Sequence, residues 1–231
     1  MAKTNEGDFF TMIKAVIFDM DGTVIETSIT HDFPSWAEVF KQHGVTLTYE
    51  LFQSALGKKA REIILQFIPD IDEAGIQKFI EQRHELLKIS LKEKGLETIP
   101  GVLELLDRLK IANIHVALAT GSIQQKIDII KEHITLDTHF PVIVSSTEVQ
   151  RGKPSPDIFL KAAEKLGVQP DECIVIEDAP NGIEAAHAAG MKCVLITTTH
   201  KKEELQKADL VIDSFDELSV GDIIHLGGDR L

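Results

Sequence analysis

The stretch from residue 13 to residue 23 constrains the fold of this chain more than any other. Residues 13–18 form a mostly apolar run too short for an independent helix, and Asp19-Met20-Asp21-Gly22-Thr23 follows at once. Such a run is typical of a strand that is buried on both faces and delivers acids to a sheet edge. If the extended backbone continues and the chain turns at Gly22, Asp19 and Asp21 point the same way. The sequence therefore predicts a pair of acids there, the alternative being a strand that ends in solvated acids.

The composition predicts a folded protein that binds neither nucleic acid nor membranes. The chain has 231 residues, of which 43% are hydrophobic, so it can bury a large core with room for an insertion. Its 24 basic and 37 acidic residues leave a net charge of −13, which repels nucleic acid and anionic membranes. No apolar stretch has the length of a signal peptide or a membrane span, so we expect a cytoplasmic protein. Cys173 and Cys193 border apolar runs and are interpreted as reduced core residues.

The segment after the first strand is predicted to be helical. Helical spacing of apolar residues covers residues 34–43 before Gly44, residues 60–67, and residues 73–94 before Gly95. No strand pattern is found between residues 28 and 97. On the longest of these helices, the residues repeating at helical spacing are Ile76, Phe79, Ile80, Arg83, Leu87 and Leu91.

From Pro100 onward, strands alternate with helices. Pro100-Gly101 opens one helix, and another is expected to have Ser155 as its N-cap, Pro156 as its first residue and Gly167 at its end. This alternation predicts an α/β fold, a Rossmann-like parallel sheet with helices on both faces. The strands after the first are predicted at residues 116–119, 142–144, 174–176, 194–196 and 210–212.

Polar side chains follow successive predicted strands at the edge where such sheets bind ligands. Taken singly, each has an ordinary interpretation as a helix cap, a solvated lysine or a polar loop. Together they place acids, a hydroxyl and a cation at one edge, which is the strongest signal in the sequence. They are Asp19 and Asp21 after strand one, Thr120, Gly121 and Ser122 after strand two, Lys153 near the end of strand three, and Glu177 and Asp178 after strand four.

Each of these residue types has a function in phosphoryl transfer. A carboxylate nucleophile divides hydrolysis into two displacements, and the phosphoryl oxygens need cations and donors around them. The Thr120 hydroxyl and the Gly121 N–H suit a phosphoryl oxygen, while Lys153 supplies a positive charge. Carboxylates with one backbone carbonyl are ligands that Mg²⁺ prefers. The pattern therefore indicates metal-assisted phosphoryl transfer.

The sequence resembles the haloacid dehalogenase superfamily of phosphotransferases. The run from Asp19 to Thr23 resembles its first motif, and Thr120, Lys153 and Asp178 match the other three in order. The sequences of residues 151–157 and 176–183 resemble those of the family branch that contains small-molecule phosphatases and beta-phosphoglucomutase. The resemblance implies a core of residues 13–27 and 98–231 and a helical cap of residues 28–97. Residues 1–12, a polar lead-in, are interpreted as an N-terminal tail.

The same resemblance implies roles for the core residues. Asp19 would be the nucleophile and Asp21 the general acid and base. Asp19, the backbone carbonyl of Asp21 and Asp178 would bind Mg²⁺, with Glu177 as a further or water-mediated ligand. Many relatives carry a second acid at the position of Gly182, so Glu177 is expected to take its place.

A second departure lies at the entrance to the cap, where Glu26-Thr27 stands in place of the usual Asp-Ser or Asp-Thr. Hinges are expected near residues 25–28 and 95–100, and the closed cap would exclude water. His31 matches a position that faces the active site in relatives, with a capping or surface role as the alternative. Lys58, Lys59 and Arg61 would meet a second anionic group, unless they form a solvated helix end.

These inferences converge on a Mg²⁺-dependent phosphatase of small phosphorylated metabolites, of the sugar or polyol phosphate type. The nearest alternative is a mutase of the beta-phosphoglucomutase type. A haloacid dehalogenase needs neither the second Asp nor a metal, and a receiver-type signalling domain has about half this length and no helical insertion. We expect a monomer, with a dimer as the alternative.

Overall fold

The computed structural model describes residues 12–204 and 207–228, which form one parallel sheet surrounded by helices. The predicted N-terminal tail lies outside the described residues except for Met12. No helix in the described ranges has the length and apolar character needed to cross a membrane. The strands are β1 (Ala15–Phe18), β2 (His115–Ala119), β3 (Val142–Val144), β4 (Cys173–Glu177), β5 (Lys192–Ile196) and β6 (Leu210–Ile212).

Four α-helices follow β1 within residues 28–97, and from residue 100 onward helices alternate with strands in the way that the sequence predicts. In chain order the helices are α1 (Phe33–Gln42), α2 (Tyr49–Gln53), α3 (Ala60–Phe67), α4 (Glu73–Lys94), α5 (Val102–Ile111), α6 (Gln124–Lys131), α7 (Leu136–His139), α8 (Asp157–Leu166), α9 (Pro180–Ala188) and α10 (Val220–Gly228). Single 3₁₀ turns at Ser146–Glu148, Pro170–Glu172, Lys202–Glu204 and Phe215–Glu217 complete the connections.

The sheet has the order β3-β2-β1-β4-β5-β6, and all its strands are parallel. Strand β1 is central, and its last residue, Phe18, pairs with Leu118 of β2 and Ile176 of β4. The ends of these three strands therefore lie at one level. The α/β class is confirmed, and the polar residues that follow the strands emerge side by side.

Each face of the sheet has its own apolar core. Because side chains alternate along a strand, Ala15 and Ile17 face the cluster that α8 and α9 contribute to, while Val16 and Phe18 face the cluster of α5, α6 and α10. All four residues are fully buried. Burying a side chain such as Phe18 stabilises a fold by about 1.5–3 kcal/mol, so β1 is held from both sides. Cys173 and Cys193 are buried and unpaired, as expected.

Residues 28–97, which we call the helical insert, have a third core of their own. Its centre is aromatic: Phe40 packs against Trp36 and edge-on against Phe79, with ring centroids 5.8 and 4.8 Å apart. The predicted helices at 60–67 and 73–94 have the bounds of α3 and α4. Helix α2 and a short π-helical turn at Ser28–Asp32 were not anticipated.

The insert leaves and rejoins the sheet at one place. The backbone N–H of Glu26 donates to the carbonyl of Glu97 at 3.0 Å, and that of Ile99 donates to the carbonyl of Val24 at 2.9 Å. Ile25 also pairs with Thr98 in an antiparallel bridge. The two connections that were predicted as hinges thus run side by side. Whether they act as hinges stays a prediction.

The predicted N-cap of α8 is wrong. The helix begins at Asp157, and Ser155 instead donates its hydroxyl to the Asp157 carboxylate at 2.6 Å. Arg151 donates to the same carboxylate at 2.9 Å. These hydrogen bonds lower the pKa of Asp157 to about 2, and the one from Arg151 has the largest effect. Asp157 therefore fastens the loop that carries Lys153, and this contact competes with the capping role of Ser155.

Candidate active site

Lys153 lies at the centre of the site, beside the acids that end β1 and β4. Its Nζ is 2.5 Å from Oδ1 of Asp19 and 2.7 Å from Oε1 of Glu177, and its side chain is buried against the ring of Phe159. Burial disfavours its charge, but the two carboxylates outweigh burial and raise the pKa of Lys153 above its usual range. Lys153 is therefore a fixed cation next to Asp19.

Three buried carboxylates meet at this point. Asp19, Glu177 and Asp178 each place an oxygen within 4.8 Å of the others. Burial, followed by the charge of Glu177, raises the pKa of Asp178 well above its ordinary value. Burial also raises the pKa of Asp19 to about 7, although Lys153 opposes this. One ammonium does not balance three acids, and oxygen donors with surplus negative charge are what a hard divalent cation requires, so the residues fit such an ion.

Glu177 is held in the cluster by the backbone. Its Oε2 accepts the N–H groups of Asp178 and Ala179, at 2.7 and 2.8 Å, just before α9. A Cβ added to Gly182 would lie 1.9 Å from Cδ of Glu177. The absence of a side chain at Gly182 thus leaves the space that the Glu177 carboxylate occupies.

Gly182→Ala is expected to displace Glu177 and weaken metal binding by about 10–100-fold, the effect typical of losing a supporting contact at a metal site. Overpacking adds a loss of stability of about 1–3 kcal/mol. The measurements are the affinity for an added divalent cation such as Mg²⁺ and the denaturation midpoint. Gly221→Ala is the matched control, because a Cβ at that helical glycine meets only Oγ of Ser219 at 3.4 Å. An unchanged cation affinity would contradict the place of Glu177 among the groups that could hold a metal ion.

The loop after β2 brings hydroxyl and amide donors to the same edge. Thr120 is buried, and its hydroxyl accepts the N–H of Ser122 at 3.0 Å. Helix α6 has Ile123 as its N-cap, so Thr120 does not cap that helix. A Cβ on Gly121 would lie 3.0 Å from the carbonyl oxygen of Gly57. The backbone of the insert at Gly57 therefore packs directly against the backbone of this loop.

Asp21 lies apart from the three-acid cluster and has its own partners. Ser122 donates its hydroxyl to Oδ2 at 2.9 Å, while Lys126 Nζ lies 2.7 Å from Oδ1 and the Thr27 hydroxyl donates to that same oxygen. Burial raises the pKa of Asp21, but Lys126 and the two hydroxyls reverse this and hold the pKa below its usual value. Thr27 thus contacts Asp21, whereas Glu26 accepts the N–H of Ile29.

Sequence reasoning missed a chain of charges that leads from Asp21 into the insert. Lys126 Nζ is also 2.5 Å from Oδ2 of Asp32, and Arg83 Nη2 is 3.0 Å from Oδ1 of Asp32. The Arg83 guanidinium lies 4.9 Å from the centroid of the Trp36 ring. A usable signal was present, because Arg83 repeats with the apolar residues of α4. Lys126 likewise shares a helical face with the buried Ile129 and Ile130.

The three basic residues and the histidine of the insert that were predicted to bind substrate have different surroundings. Lys58 lines the cavity described below, and its Nζ donates to Gln66 at 3.0 Å. Lys59 donates to the carbonyl of Gln150 at 3.0 Å, which ties the insert to the sheet. Arg61 pairs with Glu73. His31 is buried, with Nδ1 2.9 Å from the Ser90 hydroxyl, and neither it nor Arg61 lines the cavity.

A small cavity of about 70 Å³ lies between the sheet edge and the insert. It holds room for a few waters, whereas pockets that bind metabolites measure about 300–1,000 Å³. The insert is therefore seated closely on the sheet. From the sheet the lining includes Asp19, Asp21, Thr120, Gly121, Ser122, Lys126, Glu177 and Asp178; from the insert it includes Asp32, Trp36, Lys58 and Arg83.

Comparison with known proteins gives one consistent family. Residues 16–196 match the model of the haloacid dehalogenase-like hydrolases. A fructose-1-phosphate phosphatase of Escherichia coli is 34% identical over 78% of this chain and 94% of its own. A crystal structure of beta-phosphoglucomutase from Clostridium difficile superposes with a TM-score of 0.83 at 28% identity, over 94% of this chain and 97% of that one.

A longer plant protein also matches. The chloroplastic protein SUPPRESSOR OF QUENCHING 1 of Arabidopsis thaliana is 34% identical over 99% of this chain. This chain spans 22% of the length of that protein.

Proposed function

We propose, since the chain belongs to the family of haloacid dehalogenase-like hydrolases, that this enzyme is a Mg²⁺-dependent phosphatase of small phosphorylated metabolites of the sugar or polyol type. The observation that carries the proposal is the buried set of Asp19, Glu177 and Asp178 at the ends of β1 and β4, with Lys153 from the loop after β3 bound to two of them. The similarity to a fructose-1-phosphate phosphatase supports the substrate class.

In the first step, a carboxylate oxygen of Asp19 attacks phosphorus as the bond from phosphorus to the leaving oxygen breaks. Protonated Asp21 gives its proton to that oxygen, and an alcohol leaves. Although Lys126 favours ionised Asp21, an approaching phosphate dianion raises the pKa of a neighbouring acid. The Thr120 hydroxyl, the Gly121 N–H and Lys153 hold the phosphoryl oxygens.

In the second step, Asp21 takes a proton from water, and the water oxygen attacks the aspartyl phosphate. Inorganic phosphate leaves and Asp19 is regenerated, so the proton count balances over the cycle. The helical insert serves as the cap that keeps other water out. Asp19, Glu177, Asp178 and the backbone carbonyl of Asp21 would hold Mg²⁺, which when bound offsets the charge of the phosphate and the carboxylates.

Charge pairing in the insert favours hydrolysis over phosphate transfer between sugar positions. A mutase must bind a second phosphate in the cap, where Lys58, Lys59 and Arg61 were the candidates. Lys59 donates to backbone carbonyls of the sheet domain, and Arg61 pairs with Glu73 away from the cavity. Of the three candidates only Lys58 lines the cavity, and Arg83, the other insert cation there, is already paired with Asp32.

The experiment supplies beta-glucose 1-phosphate with a trace of the 1,6-bisphosphate and follows glucose 6-phosphate and free phosphate together. We expect phosphate release without isomerisation, release from a panel of sugar and polyol phosphates, and loss of activity in EDTA that Mg²⁺ restores. Isomerisation that outruns phosphate release by orders of magnitude would replace the phosphatase with the mutase. Full activity in EDTA would refute the metal assignment.

A further inference from the structure

We propose that Lys126 is a positioning residue that orients Asp21 for proton transfer, and that its ion pair with Asp32 makes this orientation depend on a seated insert. The proposal rests on the proposed function, in which Asp21 moves the proton. It assigns a function to a residue outside the four motifs. It also links the seating of the insert to proton transfer by Asp21.

Lys126 belongs to the sheet domain. It lies on α6, whose Ile127 and Ile130 are fully buried in the cluster beneath the sheet. Its side chain is 3% exposed, so the ammonium has little access to water and depends on protein partners. Asp21, at 2.7 Å, comes from the loop after β1, and Asp32, at 2.5 Å, comes from the insert. One buried ammonium therefore joins the two parts of the molecule at the acid.

The charges alternate along this path. Asp21, Lys126, Asp32 and Arg83 carry negative, positive, negative and positive charge, and the last three are almost fully buried. Arg83 is fixed against Trp36 on α1. Because a buried charge that loses its partner is costly, the set is complete only while the insert holds Asp32 against Lys126.

The contacts on Asp21 fix its direction. Lys126 and Thr27 bind Oδ1, which leaves Oδ2 to Ser122 at the cavity. The hydroxyls of Thr27 and Ser122 rotate and can serve as donor or acceptor, whereas an ammonium only donates. Lys126 is thus the contact that sets which carboxylate oxygen faces the phosphate. Without its charge, Asp21 would turn among several directions and meet the leaving oxygen less often.

The test compares Lys126→Met with wild type on two esters, using kcat/KM because it reports the steps through release of the alcohol. A sugar phosphate needs a proton on its leaving oxygen, and p-nitrophenyl phosphate does not. We expect kcat/KM to fall by about 10² for the sugar phosphate, the scale of general acid catalysis, and to change little for the nitrophenyl ester. Lys131→Met on the same helix is the control, since Lys131 pairs with the exposed Asp137.

Asp32→Asn tests the link to the insert and also serves if Lys126→Met does not fold. We expect the same selective loss on the sugar phosphate, and a double variant no worse than the poorer single variant, because both act through Asp21. An equal fall on both esters indicates a structural role and overturns the proposal, as does an unchanged sugar phosphate rate. A wild type inactive on both esters would instead refute the phosphatase function, so the two failures are distinguishable.

Discussion

Asp19→Asn is expected to lower turnover by a factor on the order of 10⁴ or more, the scale seen when a covalent nucleophile is removed. The carboxamide keeps the shape of the side chain but cannot form the aspartyl phosphate. Folding should survive, because burial raises the pKa of Asp19 to about 7 and the folded site therefore disfavours the ionised form that Asn eliminates. The denaturation midpoint should not fall.

The measurements for this variant are phosphate release and acid-stable labelling of the protein by a radioactive phosphate ester. Wild type should retain label after a rapid acid quench, and Asp19→Asn should not. Asp137→Asn is the control, because Asp137 is exposed and pairs with Lys131 on the surface. Turnover of Asp19→Asn at the wild-type rate would end the assignment of the nucleophile.

Lys153→Met is expected to reduce both stability and activity. Methionine fills a similar volume without charge, so Asp19 and Glu177 would remain buried without their shared cation. Breaking a buried pair in this way costs about 3–5 kcal/mol, and losing a charge that stabilises the transition state lowers kcat by about 10²–10³. Uptake of protons by the carboxylates would recover part of the stability.

Denaturant unfolding and phosphate release check this prediction separately. Lys165→Met is the control, since Lys165 pairs with Glu148 near the surface, where such pairs contribute about 0–1 kcal/mol. If Lys153→Met were no less stable than this control, Lys153 would not be the cation that holds the acids together. High salt should weaken the Lys165 pair more than the buried one.

The sheet and the centre of the site could be predicted because their signals are local. Short apolar runs set the strands, and parallel pairing then fixes where the residues after them lie, so Asp19 and Asp178 meet although 159 positions apart in the sequence. The sequence also indicated that Glu177 replaces the acid missing at Gly182. The acid absent at position 182 and the additional acid at position 177 are both visible when the motif is compared with its usual form.

The missed parts depend on partners that are distant in sequence. Arg83 was visible as a charge on an apolar helical face, but nothing near it indicates Asp32, 51 positions earlier. The π-helical turn that presents Asp32 has no simple sequence pattern. Ser155 was assigned as a cap by a local rule, and the Asp157 carboxylate competed for its hydroxyl.

The separate aromatic core of the helical insert has a consequence for how this family diversifies. Its buried members come from residues 36–79, so substitutions there repack the insert without disturbing the strands that hold the acids. Trp36 belongs both to this core and to the cavity lining, which lets a change in packing become a change in the surface offered to the alcohol. Selection can thus alter the surface that the insert presents to the cavity while Asp19, Glu177 and Asp178 keep their places at the edge of the sheet.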